Sequence, residues 1–196
     1  MAEGLGRTGK EFQQLENDLL TRAGRGDRAA FKALYERFQR PLFGFLMRMV
    51  RDQAMANELL NDVMLEVWRS AANFEGRSSA GTWIFGIGHN KAISLLRRRR
   101  EDQMPEDAAD TIVDDAQTPD ATAEQADLGR VMQRLLDRLS PEHRAVLQLT
   151  YYQDLSVQEI ASALDCPVNT VKTRMFYGRQ RMRELLSAAG IQGVSA

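Results

Sequence analysis

Two stretches of this 196-residue sequence carry side chains spaced to act on something outside the protein. From Val168 to Arg183 there is no acid, and Asn169, Lys172, Thr173, Phe176, Tyr177 and Gln180 alternate with Arg174, Arg179, Arg181 and Arg183. If the stretch is helical, Val171, Met175, Gly178, Met182 and Leu185 share the opposite, buried face. Amides, hydroxyls and lysine can read base edges, and arginines neutralise phosphates and release their counterions. A solvated basic face has the same composition, so the preceding residues decide between the two. Ser156-Val157-Gln158-Glu159 has the pattern of a capping box, in which serine and glutamate satisfy orphan amides at a helix start. Val157, Ile160, Ala161 and Leu164 then form a buried stripe, Asp165-Cys166-Pro167 a tight turn, and Val168 to about Leu186 a longer helix. A short helix, a three-residue turn and a longer helix make a helix-turn-helix, whose second helix enters the major groove.

The second stretch is acidic. Glu58, Asp62 and Glu66 recur at i, i+4 and i+8 and form one ridge on a helix whose other face carries Met55, Leu59, Val63 and Val67. Grouped carboxylates could serve acid–base catalysis, yet no nucleophile, metal ligand or pocket signal accompanies them. The ridge is read as either a solvated face or a docking surface for a basic partner. Between the two stretches lie Arg97-Arg98-Arg99-Arg100, more cations than a helix C-terminus needs, and read as phosphate contacts. Phe74 stands beside Glu75-Gly76-Arg77-Ser78-Ser79, where an aromatic ring at a polar loop edge could stack on an unpaired base. Trp68, Trp83 and Phe85 are read chiefly as core aromatics.

These residues are positioned by an all-α architecture. Leu, Ala, Arg, Glu and Met dominate, and 43% of the residues are hydrophobic, enough for a core. Asp27 caps a helix from Arg28 to about Arg40 carrying Phe31, Leu34, Tyr35 and Phe38, and Pro41 suits the first turn of a separate helix from Leu42 to Val50. Helices are also expected from Asp52 to Ala71, from Thr82 to Arg100, from Glu124 to Leu139, and from Pro141, capped by Ser140, to about Tyr152. Residues 73–81 form a loop.

The formal charge of −1 conceals a division. Residues 101–127 hold ten acids and no Lys or Arg, which leaves 17 acids against 26 bases, about +9, in the remainder. Two small helical domains, 12–100 and 124–190, are therefore expected on either side of a flexible acidic linker, 101–123, with tails at 1–11 and 191–196. The basic remainder points to nucleic acid. A single cysteine, Cys166, and two histidines, His89 and His143, exclude an internal disulfide and argue against a zinc site, and no cofactor is expected. With neither a signal-peptide pattern nor a window of about 20 apolar residues, the chain reads as cytoplasmic and not membrane-inserted.

In this order the segments resemble the extracytoplasmic-function sigma factors, small two-domain bacterial transcription initiation factors, over nearly the whole chain. Gly26-Asp27-Arg28-Ala29-Ala30-Phe31 and Ala56-Asn57-Glu58-Leu59-Leu60-Asn61-Asp62-Val63, ending in Trp68, are similar to the family's polymerase-docking helices. Thr82-Trp83-Ile84 with Ile87, Asn90 and Arg97-Arg98 resembles its −10 reading and melting segment. Leu139-Ser140-Pro141-Glu142 and the run from Pro167 to Arg174 resemble its −35 reading domain.

The resemblance implies Glu58, Asn61, Asp62 and Glu66 as polymerase contacts. It implies Phe74, Arg77, Ser78, Ser79, Trp83, Asn90, Lys91, Arg97 and Arg98 at the −10 element, and Asn169, Thr170, Lys172, Thr173, Arg174, Phe176, Tyr177 and Arg179 at the −35 element. The partners it implies are the clamp helices and flap of core RNA polymerase, promoter DNA, and an anti-sigma factor or other regulator; no catalysis is implied. Tyr177-Gly178 stands where the family commonly has Arg-Ala, and a tyrosine cannot make the bidentate guanine contact of an arginine. An operator-binding dimeric regulator would leave the acidic ridge, the arginine run and the aromatic loop unexplained. A purely protein-binding adaptor would leave the unbroken basic face without a role.

Overall fold

The computed structural model describes residues 9–102 and 123–190. The expected tails, apart from residues 9–11, and all but the margins of the expected acidic linker lie outside the described residues. Eight α-helices and no strand occur among those described: α1 Gly9–Gly24, α2 Arg28–Val50, α3 Gln53–Ser70, α4 Ala80–Asp102, α5 Ala123–Leu136, α6 Pro141–Tyr152, α7 Val157–Ala163 and α8 Val168–Ala188. A 3₁₀ turn, Ala71–Asn73, follows α3.

The helix starts are chemically explicit. The Asp27 carboxylate accepts from the Ala29 and Ala30 amides at 2.9 and 3.0 Å, and the Arg22 guanidinium holds it at 2.7 Å. The Ala30 amide first, and then Arg22, keep this carboxyl below its usual range. Asp52 caps α3 through the Met55 amide, and Ser140 caps α6 with Pro141 at its first position. The capping box at α7 is complete, the Ser156 amide donating to the Glu159 carboxylate at 2.9 Å and the Glu159 amide to the Ser156 hydroxyl at 3.3 Å.

Pro41 does not begin a new helix. α2 runs unbroken from Arg28 to Val50 with the proline inside it. Proline removes one intrahelical hydrogen bond and disfavours the turn before it. Here Leu34 and Phe38 before it and Leu42, Phe45 and Leu46 after it are all buried on one face. At about 1.5–3 kcal/mol for each buried large apolar side chain, that packing outweighs the local cost.

Helices α1 to α4 bury Leu20, Leu34, Leu42, Phe45, Val63, Val67 and Ile84, with the Phe45 and Phe85 rings edge to face at 5.6 Å. Helices α5 to α8 bury Leu135, Val146, Leu149, Ile160, Val171 and Leu185. The two blocks also pack on one another, chiefly through α4 against α7 and α2 against α6.

Candidate nucleic-acid interface

The face of α8 left free by burial of Val171, Met175, Gly178 and Met182 contains Asn169, Lys172, Thr173, Phe176, Tyr177 and Arg179, all exposed. α7 is held against α8 by Ile160 and Ala161, and the turn between them is closed by the Cys166 amide donating to the Ala161 carbonyl at 3.1 Å. The geometry is that of a helix-turn-helix with an accessible second helix. Phe176 and Tyr177 are 64% and 53% exposed, their rings 5.3 Å apart, and the Arg179 guanidinium lies 5.7 Å from the Tyr151 ring. Exposed aromatic rings among cations suit base methyl groups and sugar–phosphate better than they suit water. Thr170 and Arg174 are half-buried, and Arg174 turns toward the first domain, where its charge reaches His89. Its position differs from that of Arg179, with which the sequence groups it.

In the first domain, Phe74 is half-buried, its ring 5.6 Å from that of Trp83, so the two aromatics form one platform at the start of α4. Ser79 is used within the protein, its hydroxyl bonding Thr82 at 2.8 Å and accepting from the Thr82 amide at 3.1 Å. Ser78 is half-buried beside it. Arg77 is exposed and pairs with Glu75 at 2.9 Å, a surface contact of little energetic weight. Asn90 is exposed and Lys91 half-buried further along α4, and Arg97, Arg98, Arg99 and Arg100 are exposed on its last turns. Platform, amide and cations thus follow one another along a single helix.

Glu58, Asn61 and Asp62 are exposed on α3, and Glu66 is half-buried. No ion pair to these three acids forms among the described residues. Beside them runs a groove that the sequence reading missed, lined by Arg28, Phe31, Tyr35, Asn61, Leu65 and Trp68. Leu65 is 45% exposed, and Trp68 packs edge-on against Phe31 at 5.0 Å. An apolar residue lying off the Leu59–Val63–Val67 stripe was the available signal. Acid beside exposed leucine suits a basic, partly apolar helical partner. Among the described residues there is no group of His, Cys, Asp and Glu able to hold a metal, and no helix long and apolar enough to cross a membrane.

Comparison with known proteins agrees with this geometry. Residues 34–101 match the model of sigma-70 region 2, and residues 129–182 that of sigma-70 region 4. The ECF RNA polymerase sigma factor RpoE of Cereibacter sphaeroides is 36% identical over 166 residues, 82% of this chain and 88% of that one. SigX of Bacillus subtilis, another ECF RNA polymerase sigma factor, is 33% identical over 79% of this chain and 82% of its own. The fold is shared with CnrH in complex with the cytosolic domain of CnrY, at TM-score 0.68 and 23% identity over 89% of this chain and 98% of that one. It is also shared with RpoE of Bartonella quintana in complex with the anti-sigma factor NepR, at TM-score 0.67 and 23% identity over 80% and 96%.

Proposed function

The chain belongs to the extracytoplasmic-function sigma factors of the sigma-70 family, and from this premise we propose how its own residues direct promoter-specific initiation. Core RNA polymerase is bound through α3, where the exposed carboxylates of Glu58 and Asp62 meet a basic surface of the enzyme and Leu65 in the adjoining groove supplies apolar contact. The second domain, residues 124–190, reads the −35 element with α8. Lys172, Thr173, Asn169 and Phe176 face the base edges, and Arg179 faces the backbone.

The first domain, residues 12–100, acts at the −10 element. Phe74 and Trp83 offer a stacking platform for an extruded base, Asn90 a hydrogen-bonding amide, and Arg97 and Arg98 phosphate contacts. Family members work in initiation without catalysis of their own, and the same is proposed for this chain, acting in the cytoplasm where polymerase and promoter are. Because proteins sharing its fold occur in complexes with CnrY and NepR, an anti-sigma factor is proposed as a further partner.

The observation that carries this reading is the acid-free, exposed face of α8 held behind a fully capped α7. Transcription in vitro with core polymerase and the purified chain tests it. Promoter-specific transcripts are expected with no other factor. Tight binding of the free chain to an operator duplex, with no transcript from core, would instead support a dimeric regulator.

A further inference from the structure

The seam between the two domains is closed by side chains that promoter reading leaves unused. Arg144 of α6 is 3% exposed, and its guanidinium donates five hydrogen bonds, all to backbone carbonyls. Three of the acceptors, Leu136, Asp137 and Leu139 at 3.0 to 3.1 Å, belong to its own domain. The other two cross to the first domain, to Arg48 at 2.9 Å and Met49 at 3.1 Å. Those carbonyls lie in the last turn of α2, where a helix leaves its oxygens unpaired and favours a cation. Burial lowers the Arg144 pKa to about 10, which leaves it charged near neutrality. One cation therefore serves the ends of two helices in two domains.

Around it, Arg51 pairs with Asp137 at 3.2 Å, and the Arg48 guanidinium sits 4.2 Å from the Tyr152 ring centre. Gly86 of α4 approaches α7 so closely that a Cβ there would stand 2.8 Å from the Ala163 carbonyl oxygen. His89, at i+3 from Gly86, is 7% exposed and lies within electrostatic reach of Arg174 and Glu142.

This seam is incompletely satisfied. Among the described residues, the buried side-chain nitrogen and oxygen atoms without partners are Arg48 Nε, His89 Nδ1 and both amide atoms of Gln148. Arg48 and His89 border the seam directly. Gln148 lies between Arg144 and Tyr152 at four-residue spacing, on the α6 face turned to α2. Buried polar groups without partners are destabilising, and water would satisfy each of them on separation. The cores on either side carry no comparable penalty, so the molecule is set to part at this seam.

We propose that the seam is a built-in brake: Arg144 bolts the helix-turn-helix domain to the end of α2, holding the free chain closed and unable to span a promoter. The proposal rests on the sigma-factor reading. Elements at −35 and −10 are about 25 base pairs apart, roughly 85 Å at ~3.4 Å per pair. In the closed chain α8 comes within electrostatic reach of α4 through Arg174 and His89. Both elements are read together only after the seam opens. Residues 103–122 supply chain enough for about 70 Å at full extension, which lets the domains part while remaining joined. A chain that is mostly closed shows an apparent DNA affinity reduced by its open fraction.

The full-length Gly86→Ala variant tests this. Its added methyl meets Ala163 of the other domain, while within α4 alanine is the better helix former. Arg51→Glu, which sets two carboxylates against each other at Asp137, opens the seam from a second place. With circular dichroism unchanged, both variants should show a larger radius of gyration in solution scattering. Each should also bind a −35 duplex about threefold to tenfold more tightly than wild type. A wild-type chain already extended in solution, or variants that scatter or bind DNA like wild type, would overturn the brake. Transcription with core polymerase is scored separately: loss of transcripts from the wild type counts against the sigma-factor reading, whereas transcripts with no gain in the variants' duplex binding count against the brake alone.

Discussion

The rings of Phe74 and Trp83 lie 5.6 Å apart at an angle of 53°, across the loop that leads into α4. Tilted packing leaves part of each ring available, so the pair can support one further planar group at the domain surface. Base–aromatic stacking of this kind contributes about 1–3 kcal/mol per base, realised only after the base leaves the duplex. Phe74→Ala or Asn90→Ala should therefore slow open-complex formation by about tenfold or more while leaving closed-complex binding nearly intact. Permanganate reactivity of −10 thymines reports the difference, with circular dichroism showing that the first domain remains folded. Footprints equal to wild type would remove Phe74 and Asn90 from the melting site.

The acidic ridge and the groove beside it make separable contributions to docking. Replacing Glu58 and Asp62 together by Lys should weaken binding to core polymerase by more than about tenfold, and the loss should shrink as salt is raised. Leu65→Ala should weaken binding with little change in salt dependence, since it removes apolar area alone. Binding titrations with labelled chain at two ionic strengths distinguish the two. Unchanged binding for the charge-reversed chain would make the ridge a solvated face.

His89 gives the closed arrangement a pH dependence of definite sign. Burial, with Arg174 acting in the same direction and Glu142 opposing, lowers its pKa from 6.5 to about 4. The separated domains bind the proton more readily, so closure is fully supported above about pH 6.5 and weakens as pH falls from 6.5 toward 4. The whole difference corresponds to roughly 3 kcal/mol at about 1.36 kcal/mol per unit. Asp137 also borders the seam, its pKa raised by burial against the pull of Arg51 and Arg144. Solution scattering at pH 7.5 and 5.5 should show expansion of the wild-type chain at the lower pH. A His89→Leu chain should show a much smaller change, which separates the imidazole from Asp137. Equal expansion in both would assign the effect elsewhere.

Much of this was legible in the sequence, for reasons that particular residues make plain. The stripes Leu59–Val63–Val67 and Val171–Met175–Met182 are periodic, and Asp27, Ser140 and Ser156 act on amides two or three residues away. Local spacing therefore suffices to find the helices, the caps and the helix-turn-helix. Pro41 misled because its local preference is overruled by burial of Phe38 and Leu42 on either side. Arg144 left no trace, because its acceptors at Arg48 and Met49 are 96 and 95 residues away and are backbone carbonyls, which any residue type could supply. Arg174 looked equivalent to Arg179 for the same reason: only the packing of the domains turns one toward His89 and leaves the other over Tyr151.

That difference sharpens the expected behaviour of α8 on DNA. Lys172 is exposed on the N-terminal half of the helix, the half that enters the groove, so its ammonium can reach a base edge. Arg179 lies two turns further on, beside Tyr151, where it is placed for the backbone. Lys172→Ala should cost about 1–3 kcal/mol at the preferred −35 sequence and relax the choice of base at one position. Arg179→Ala should weaken binding to all sequences alike and reduce the salt slope by about one charge. Arg174→Ala should resemble Arg179→Ala only when the domains are apart. In the closed chain it also removes a cation beside His89, so its effect on duplex binding should differ between wild-type and Gly86→Ala backgrounds. Binding of full-length chains to a set of −35 variants at two salt concentrations measures all three terms. If Lys172→Ala is as indifferent to sequence as Arg179→Ala, the base-reading face lies elsewhere on α8, with Thr173 and Phe176 as the remaining exposed side chains on the same half.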